Sequence, residues 1–290
     1  MTGLSHLLLE FEYIFLWVML YSFLGWVYES IVVSIQERRP INRGFLMGPI
    51  CPIYGVGAVG GALALSQLHN PVALFLVGAL LASVLEYLTS WVMEKLFDAR
   101  WWDYSQFRFN INGRVCLLGA VIFGVFAVVV VRWTQPLVVT FTDRVPVPAV
   151  HAIAGVVFLL LAVDLAVTLA GMKGFMERVE RFGQIAAEYG VAARRTARRT
   201  VDEYASKAGE SINAGRQAVG AAVSDATRTL AAGPQVPLSR LRDRAAELFT
   251  AQQRRMLNAF PEFTSFDHRE LIDQLREILN PNRRGRGKGK

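Results

Sequence analysis

Three acidic residues lie inside apolar stretches of the sequence: Glu29, Glu86 and Asp164. A charged side chain at the centre of a bilayer costs about 2.5 to 3.5 kcal/mol on insertion scales, and such side chains usually face the interior of a helix bundle. Each of the three precedes a basic residue by nine positions, and these basic residues are Arg38, Lys95 and Lys173. Because nine helical residues span roughly 13 Å, we expect the three carboxylates at a similar depth, where they could meet.

Three carboxylates at one depth cannot all stay ionised and unpaired, because desolvation and like charge both favour the protonated form. Such a site holds protons, binds a cation or pairs with arginine. Arg43 and Arg114 lie at the predicted cytoplasmic ends of the second and fourth apolar runs, and they are the nearest candidates for pairing. Three interpretations stay open: structural pairing with arginine or backbone, a polar pathway for a solute or ion, and positions that are unrelated.

Five apolar runs position these residues, at about 13–35, 48–68, 71–93, 114–132 and 149–171. Each approaches or exceeds the roughly 20 residues that a helix needs to cross a bilayer. Soluble helices keep a polar face, and five such runs leave little polar surface for one. Glycines and a proline interrupt the second run, which is tolerated where neighbouring helices satisfy the backbone. The sequence therefore predicts an all-α, polytopic membrane helix bundle of about five spans.

Basic residues alternate along the connections between the runs. None precedes the first run, three follow it, the second connection has none, and the third has four. The fourth carries two, and the residues after the fifth run are rich in Arg. Because cytoplasmic connections carry the excess of Lys and Arg, we predict an external N-terminus, a cytoplasmic C-terminus and a multi-pass position in the cytoplasmic membrane. The N-terminal segment lacks the basic region of a cleavable signal, so we expect it to stay as a helix.

The charge balance changes near residue 172. The residues up to 172 carry 9 Lys and Arg against 10 Asp and Glu, whereas those beyond carry 22 against 14. The predicted organisation is a transmembrane bundle over 1–172, an Ala/Arg-rich cytoplasmic helical segment over 173–232, amphipathic helices over 233–282 and a disordered basic tail over 283–290. Basic helices beneath a membrane contact anionic lipid headgroups, and a protein partner is the next candidate. Nucleic acid is disfavoured, because no recognised binding module is present.

Two longer stretches carry more specific motifs. They are NRGFLMGPICPIYGVG from Asn42 and EKLFDARWWDYSQFRFNINGRVCL from Glu94. Together with SFLGWVYES at 22–30 and LEY at 85–87, they resemble the bacterial CmpB-like permease family, described as ABC-transporter type IV. The resemblance covers roughly residues 17–120. It implies a multi-span protein of the cytoplasmic membrane that serves as a transporter permease, and it fixes the fold better than the activity.

The first of these stretches lies at a predicted cytoplasmic mouth of the bundle. Asn42 and Arg43 begin it, and its Gly-Pro and Cys-Pro pairs prevent a regular helix throughout, because proline removes donors and glycine opens backbone space. An irregular backbone beside the carboxylates would resemble the broken helices that bind solutes in transporters. A rigid turn between two spans explains the same residues.

The second stretch is rich in aromatic residues. Trp101, Trp102 and Tyr104 are the types that anchor a protein at the membrane interface. Asp103 can accept a hydrogen bond from Arg100 or Arg114. Interface anchoring accounts for most of this stretch without any ligand.

Two functions from different classes fit the sequence. The first is a transporter permease subunit with a polar intramembrane site. The sequence contains no GxxxxGK[ST] stretch, so a separate ATPase subunit would supply the energy. Five spans are few for enclosing a pathway, which favours a homodimer. The second is a non-transporting membrane scaffold or anchor whose basic tail binds lipid headgroups or protein partners.

An enzyme, a metal site and a cofactor are not predicted. The apolar runs offer neither paired histidines nor a Ser-His arrangement. Cys51 and Cys116 lie near predicted cytoplasmic helix ends, where a disulfide is disfavoured, and two thiols without nearby histidines do not make a zinc site.

Overall fold

The computed structural model describes residues 3–189, 238–265 and 269–279. In these ranges the chain is helical apart from two short strands and the connections. We number the helices α1 to α10 and the strands β1 and β2 in chain order. The predicted basic tail over 283–290 and most of the Ala/Arg-rich segment over 173–232 lie outside the described residues.

Four helical stretches are long and apolar enough to cross a membrane. They are α1 (Gly3–Glu37), α3 (Pro71–Phe97), the stretch from Leu117 to Thr142, and α6 (Val147–Met172). The third of them consists of α4 (Leu117–Val129), a π-helical turn over Val130–Thr134 and α5 (Gln135–Thr142). The predicted all-α polytopic membrane bundle is confirmed.

The second apolar run differs from the other four. Only Pro52–Leu65 is helical, and this 14-residue helix is α2. At 1.5 Å per residue it is about 21 Å long, short of the roughly 30 Å of a hydrocarbon core. Gly48 and Pro49 lie in the non-helical part of the run and Pro52 begins α2, whereas the other glycines of the run lie inside the helix.

Helix α2 begins far from the end of α1. The N–H of Cys51 donates to the carbonyl of Ser22 at 2.9 Å, and Ser22 lies fifteen residues before the end of α1 at Glu37. The chain therefore returns about 22 Å along α1 before α2 starts. Residues 41–51 cover much of this distance without regular structure, and we call them the irregular segment.

Small residues bring the other helices close together. A Cβ atom added at Gly78 of α3 would lie 2.4 Å from the Cβ of Ala127, and one added at Gly124 of α4 would lie 2.7 Å from the ring of Phe75. Gly55 of α2 approaches the carbonyl of Val18 in the same way, at 2.1 Å. Such contacts let backbones approach where lipid provides no hydrophobic driving force.

The connection between α3 and α4 contains the two strands. Strand β1 (Asn110–Ile111) pairs antiparallel with β2 (Val115–Cys116). Asn112 and Gly113 between them both have positive φ angles, 52° and 67°. This is the Asn-Gly turn that a tight hairpin requires.

The C-terminal residues divide between two compact units. One unit contains residues 1–173 together with 251–267, and the other contains 174–250 and 268–290. The helices are α7 over 175–189, α8 (Leu238–Leu248), α9 (Ala251–Ala259) and α10 (Arg269–Leu279). Helix α9 and the residues after it thus belong with the bundle, whereas the sequence placed them in one amphipathic block over 233–282.

The second unit has its own apolar contacts. Phe249, after α8, packs edge-on against Phe175 and Phe182 of α7. A Cβ atom added at Gly183 would lie 2.6 Å from Leu271 of α10. Its described helices therefore pack as an amphipathic helical unit.

Candidate functional site

The three carboxylates lie at comparable distances from the ends of their helices. Glu29 is eight residues before the end of α1, Glu86 eleven before the end of α3 and Asp164 eight before the end of α6. These separations correspond to about 12, 17 and 12 Å. We call this end of the bundle the basic end, because Arg38 and Lys173 directly follow α1 and α6 and Lys95 lies in the last turn of α3.

Asp164 binds the irregular segment. Its Oδ1 accepts the N–H of Met47 and its Oδ2 accepts the N–H of Gly48, both at 2.8 Å. The hydroxyl of Thr168, one turn later, donates to Oδ1 at 3.1 Å. The carboxylate therefore satisfies two backbone donors that, outside a helix, have no helical carbonyl to bind.

Side chains satisfy other backbone groups of the irregular segment as well. Ser34 Oγ accepts the N–H of Ile41 at 2.9 Å, and Ser30 Oγ accepts the N–H of Arg43 at 3.1 Å. From α9, Arg255 donates to the carbonyl of Leu46 at 2.7 Å and also lies within hydrogen-bond distance of two preceding carbonyls. Non-helical backbone at membrane depth is stable only where protein groups or a cavity satisfy it, and these contacts meet that requirement.

Arg255 is itself partly withdrawn from water. Burial lowers the pKa of its guanidinium, while the Asp164 carboxylate and Cys51 oppose the shift. Two other side chains of α9 also donate to backbone carbonyls of the bundle. Gln252 donates to the carbonyl of Phe45 at 3.3 Å, and Gln253 donates to that of Gly171 at 3.0 Å. Helix α9 is thus fixed to both the irregular segment and α6.

Glu29 is paired on both oxygens. Arg43 Nε lies 3.3 Å from Oε2, and the hydroxyl of Tyr54 in α2 donates to Oε1. Arg43 also donates to the carbonyl of Ala259 at 2.7 Å and stacks over Phe260, 4.3 Å from the ring centroid. The predicted pairing partner Arg43 is therefore shared between a helix carboxylate and the chain that follows α9.

Glu86 has a different environment. The hydroxyl of Tyr104 donates to its Oε1 at 3.0 Å. The other oxygen, Oε2, is buried without a hydrogen-bond partner among the residues that the structure describes. Burial, followed by the carboxylates of Glu86 and Glu29, raises the pKa of Tyr104, so this phenol stays a donor. Glu29 and Glu86 therefore share one electrostatic environment around Tyr104, while Asp164 binds the irregular segment.

In the part of the chain that the structure describes, Arg114 pairs with Glu94 rather than with any of the three carboxylates. It forms two hydrogen bonds with Glu94, at 2.8 and 2.9 Å, and stacks on Tyr87 at 5.4 Å. Arg100 lies 3.4 Å from the same Glu94 and 3.7 Å from Asp103. Asp103 thus pairs with Arg100, one of its two predicted partners. Asn42 accepts a hydrogen bond from the indole of Trp26 at 2.7 Å.

Trp101 is fully buried, with 1% of its surface exposed. Its ring packs edge-on against Phe45, Phe97, Phe260 and Phe263 at centroid distances of 5.0 to 5.5 Å. Trp101 therefore packs against residues that follow α9 and is not exposed at an interface. Trp102 donates to the carbonyl of Arg114 at 3.0 Å.

The chain after α9 completes this end of the bundle. Thr264 pairs with Arg100 as an isolated antiparallel bridge, with N–H to carbonyl distances of 2.9 and 2.7 Å. Glu262 accepts from the N–H of Asp103 at 3.4 Å and from the amide of Gln106 at 3.1 Å. We call residues 251–265 the returning segment.

Sequence reasoning missed Tyr54, Glu94 and Arg255. Glu94 was quoted only as the first residue of a motif, although it precedes two arginines that both reach it. Nothing in the sequence distinguishes Arg255, because the chain has 26 arginines and this one lies 209 residues after Leu46, whose carbonyl it binds.

These features define a class of protein: a polytopic helical membrane protein in which one apolar run is broken into an irregular segment and a short helix beside buried carboxylates. The model of the family described as "Putative ABC-transporter type IV" matches residues 16–169, more than half of the chain. The chain belongs to this family. Neither the comparison with curated proteins nor the comparison with solved structures finds a match.

Proposed function

We propose that this protein is the permease subunit of a transporter in the cytoplasmic membrane, with its C-terminus in the cytoplasm. One observation carries the proposal: the irregular segment and α2 replace a continuous span beside Glu29 and Glu86. Transporters bind solutes and coupling ions near helices that are interrupted in this way. The family to which the chain belongs supports the same class.

The proposal assigns energy supply and assembly to other chains. The printed sequence contains no P-loop motif, so a separate ATPase is the proposed partner and no catalytic site is assigned here. Four long helices and α2 are few for enclosing a pathway, so we extend the proposal to a homodimer. Anionic headgroups are the proposed contact of the basic residues beyond 172.

The experiment compares cells that lack the protein with cells that regain it in altered form. Small solutes and inorganic ions inside the cells are quantified by mass spectrometry after complementation with the wild type, with E86Q or with E10Q. Glu10 is an exposed residue of α1 and provides the matched control. We expect the wild type and E10Q to restore the same solute or ion content, and E86Q to fail although it reaches the membrane in equal amount. Restoration by E86Q contradicts the proposal.

A scaffold is the second candidate, because Glu29 and Asp164 are each held by hydrogen bonds on both oxygens. Residues that only fix packing would show this pattern. The discriminating variant deletes residues 190–237 and leaves the returning segment in place. A scaffold loses its function in this variant and keeps it in E86Q, whereas a permease shows the reverse.

A further inference from the structure

Glu86 is the carboxylate whose surroundings do not account for a negative charge. Its side chain is 6% exposed, and no donor from the described residues lies within hydrogen-bond distance of Oε2. In α4, a Cβ atom added at Gly119 would lie 3.9 Å from Oε2. A buried carboxylate with one unsolvated oxygen is strongly disfavoured relative to its neutral form.

The cations of this end of the bundle are directed to other acids. Arg43 lies against Glu29, and Arg114 forms its paired hydrogen bonds with Glu94. Among the residues that the structure describes, Glu86 receives only the phenol of Tyr104. The side chains of Arg43 and Arg114 thus contact Glu29 and Glu94 rather than Glu86.

The titratable groups around the Glu86–Tyr104 pair come from several elements. Glu29 of α1 interacts electrostatically with both members of the pair, and Cys116 of β2 with Tyr104. Tyr54 of α2 interacts with Tyr104 and donates to Glu29. These three neighbours of the pair are an acid, a thiol and a phenol, so none of them contributes a positive charge to Glu86.

We propose that Glu86 is a proton-binding site, occupied at neutral pH, and that this proton is a coupling ion that moves with the solute during the cycle that the proposed ATPase drives; the second clause rests on the proposed function. The bound form is the carboxylic acid, with the proton on Oε2 and the hydrogen bond from Tyr104 on Oε1. Release forms one carboxylate and one free proton, without any other reactant. A metal ion fits less well, since the described residues contain no group of three His, Cys, Asp or Glu side chains that could hold one.

The test is infrared spectroscopy at pH 7 of the full-length protein in dodecyl maltoside, a detergent that lacks the ester carbonyls of phospholipids. A neutral carboxylic acid has a carbonyl stretch that carboxylates and amides lack. We expect this band in the wild type, a shift of the band when glutamate is labelled with ¹³C at the side-chain carboxyl, and no shift when aspartate is labelled instead. Labelling needs no substitution, so this part of the test does not depend on a variant that folds.

Variants assign the band to one glutamate. E86Q removes it and E29Q leaves it, with both proteins checked for the same elution volume and helix content as the wild type. Three results overturn the inference: no band in the wild type, a band that follows aspartate labelling, or a band lost in E29Q and kept in E86Q. Loss of the band on addition of NaCl or KCl at constant pH also overturns it, since the site would then prefer a metal cation.

The failure of this inference is distinguishable from the failure of the proposed function. The infrared band reports protonation without any transport, whereas the solute and ion contents of complemented cells report transport without identifying the coupling ion. If Glu86 is protonated but loss of the protein changes no solute content, the proton-binding site is confirmed and its role in transport is contradicted.

Discussion

Asp164 and Glu86 carry the same functional group in two long helices, and they differ in what their oxygens contact. Asp164 accepts two backbone N–H groups of the irregular segment and a hydroxyl, so its charge is compensated by donors. Glu86 accepts one phenol and has a second oxygen without a partner among the described residues. An acidic residue in an apolar run can therefore stabilise the fold or be available to a ligand, and the hydrogen bonds of its two oxygens distinguish these roles.

The largest effect expected from this difference is on folding, at Asp164. D164A removes the charged acceptor of the Met47 and Gly48 N–H groups, and hydrogen bonds to charged groups contribute about 1.5 to 3 kcal/mol each. We expect a loss of about 3 to 6 kcal/mol in the free energy of unfolding, seen as a lower melting midpoint in detergent and lower abundance in the membrane. D143A, at an exposed acidic residue, is the control, and an unchanged midpoint in D164A would show that the irregular segment does not need the carboxylate.

The next effect concerns the opposite side of the irregular segment. R255A removes the charged donor that the carbonyl of Leu46 accepts from, and hydrogen bonds to charged groups contribute about 1.5 to 3 kcal/mol. We expect a loss of stability in that range and faster cleavage by protease within residues 41–51, measured by mass spectrometry of the fragments. R242A, at an exposed position of α8, should behave as the wild type. If R255A resists protease equally well, the returning segment does not stabilise the irregular one.

A smaller effect is expected from a single methyl group. In G48A the new Cβ would lie 2.8 Å from Oδ2 of Asp164, so the carboxylate must move and lengthen its hydrogen bonds. Overpacking of this kind typically costs about 1 to 3 kcal/mol.

G60A is the matched control for this variant, because Gly60 lies in the interior of α2 and a Cβ there meets nothing within 4 Å. Alanine favours a helix over glycine by up to about 1 kcal/mol, so the melting midpoint of G60A should equal or exceed that of the wild type. Equal midpoints for G48A and G60A would argue against a close fit between Asp164 and the irregular segment.

Sequence reasoning could predict the bundle and not the wiring of its polar residues. The apolar runs are long, so four of them fold as helices that can span a membrane. The Gly-Pro and Cys-Pro pairs of the second run indicated where α2 begins, whereas its later glycines lie inside that helix. The pairing of Arg43 with Glu29 spans 14 residues and follows from proximity at one mouth. The contact of Arg255 with Leu46 spans 209 residues, and no local pattern specifies it.

The burial of Trp101 shows the same limit. A tryptophan pair beside basic residues is typical of a membrane interface, and Trp102 next to it is only half-buried. What buries Trp101 is Phe260 and Phe263 of the returning segment, which follow it by more than 150 residues. A prediction from one stretch of sequence cannot include a partner that only the fold supplies.

The smallest effect on stability is expected at Glu86, and it distinguishes the role of Glu86 most directly from that of Asp164. If Glu86 is a neutral acid, E86Q exchanges one uncharged group for another of nearly the same shape, and the melting midpoint at pH 7 should change by less than the equivalent of about 1 kcal/mol. If Glu86 were ionised, E86Q would remove a buried and unpaired charge, and the variant would be more stable than the wild type by several kcal/mol. The measurement is a pair of melting curves in the same detergent, with E10Q as the exposed control. A marked rise in the midpoint would contradict the protonated state, whereas an unchanged midpoint with loss of complementation would separate the role of Glu86 from the structural role of Asp164.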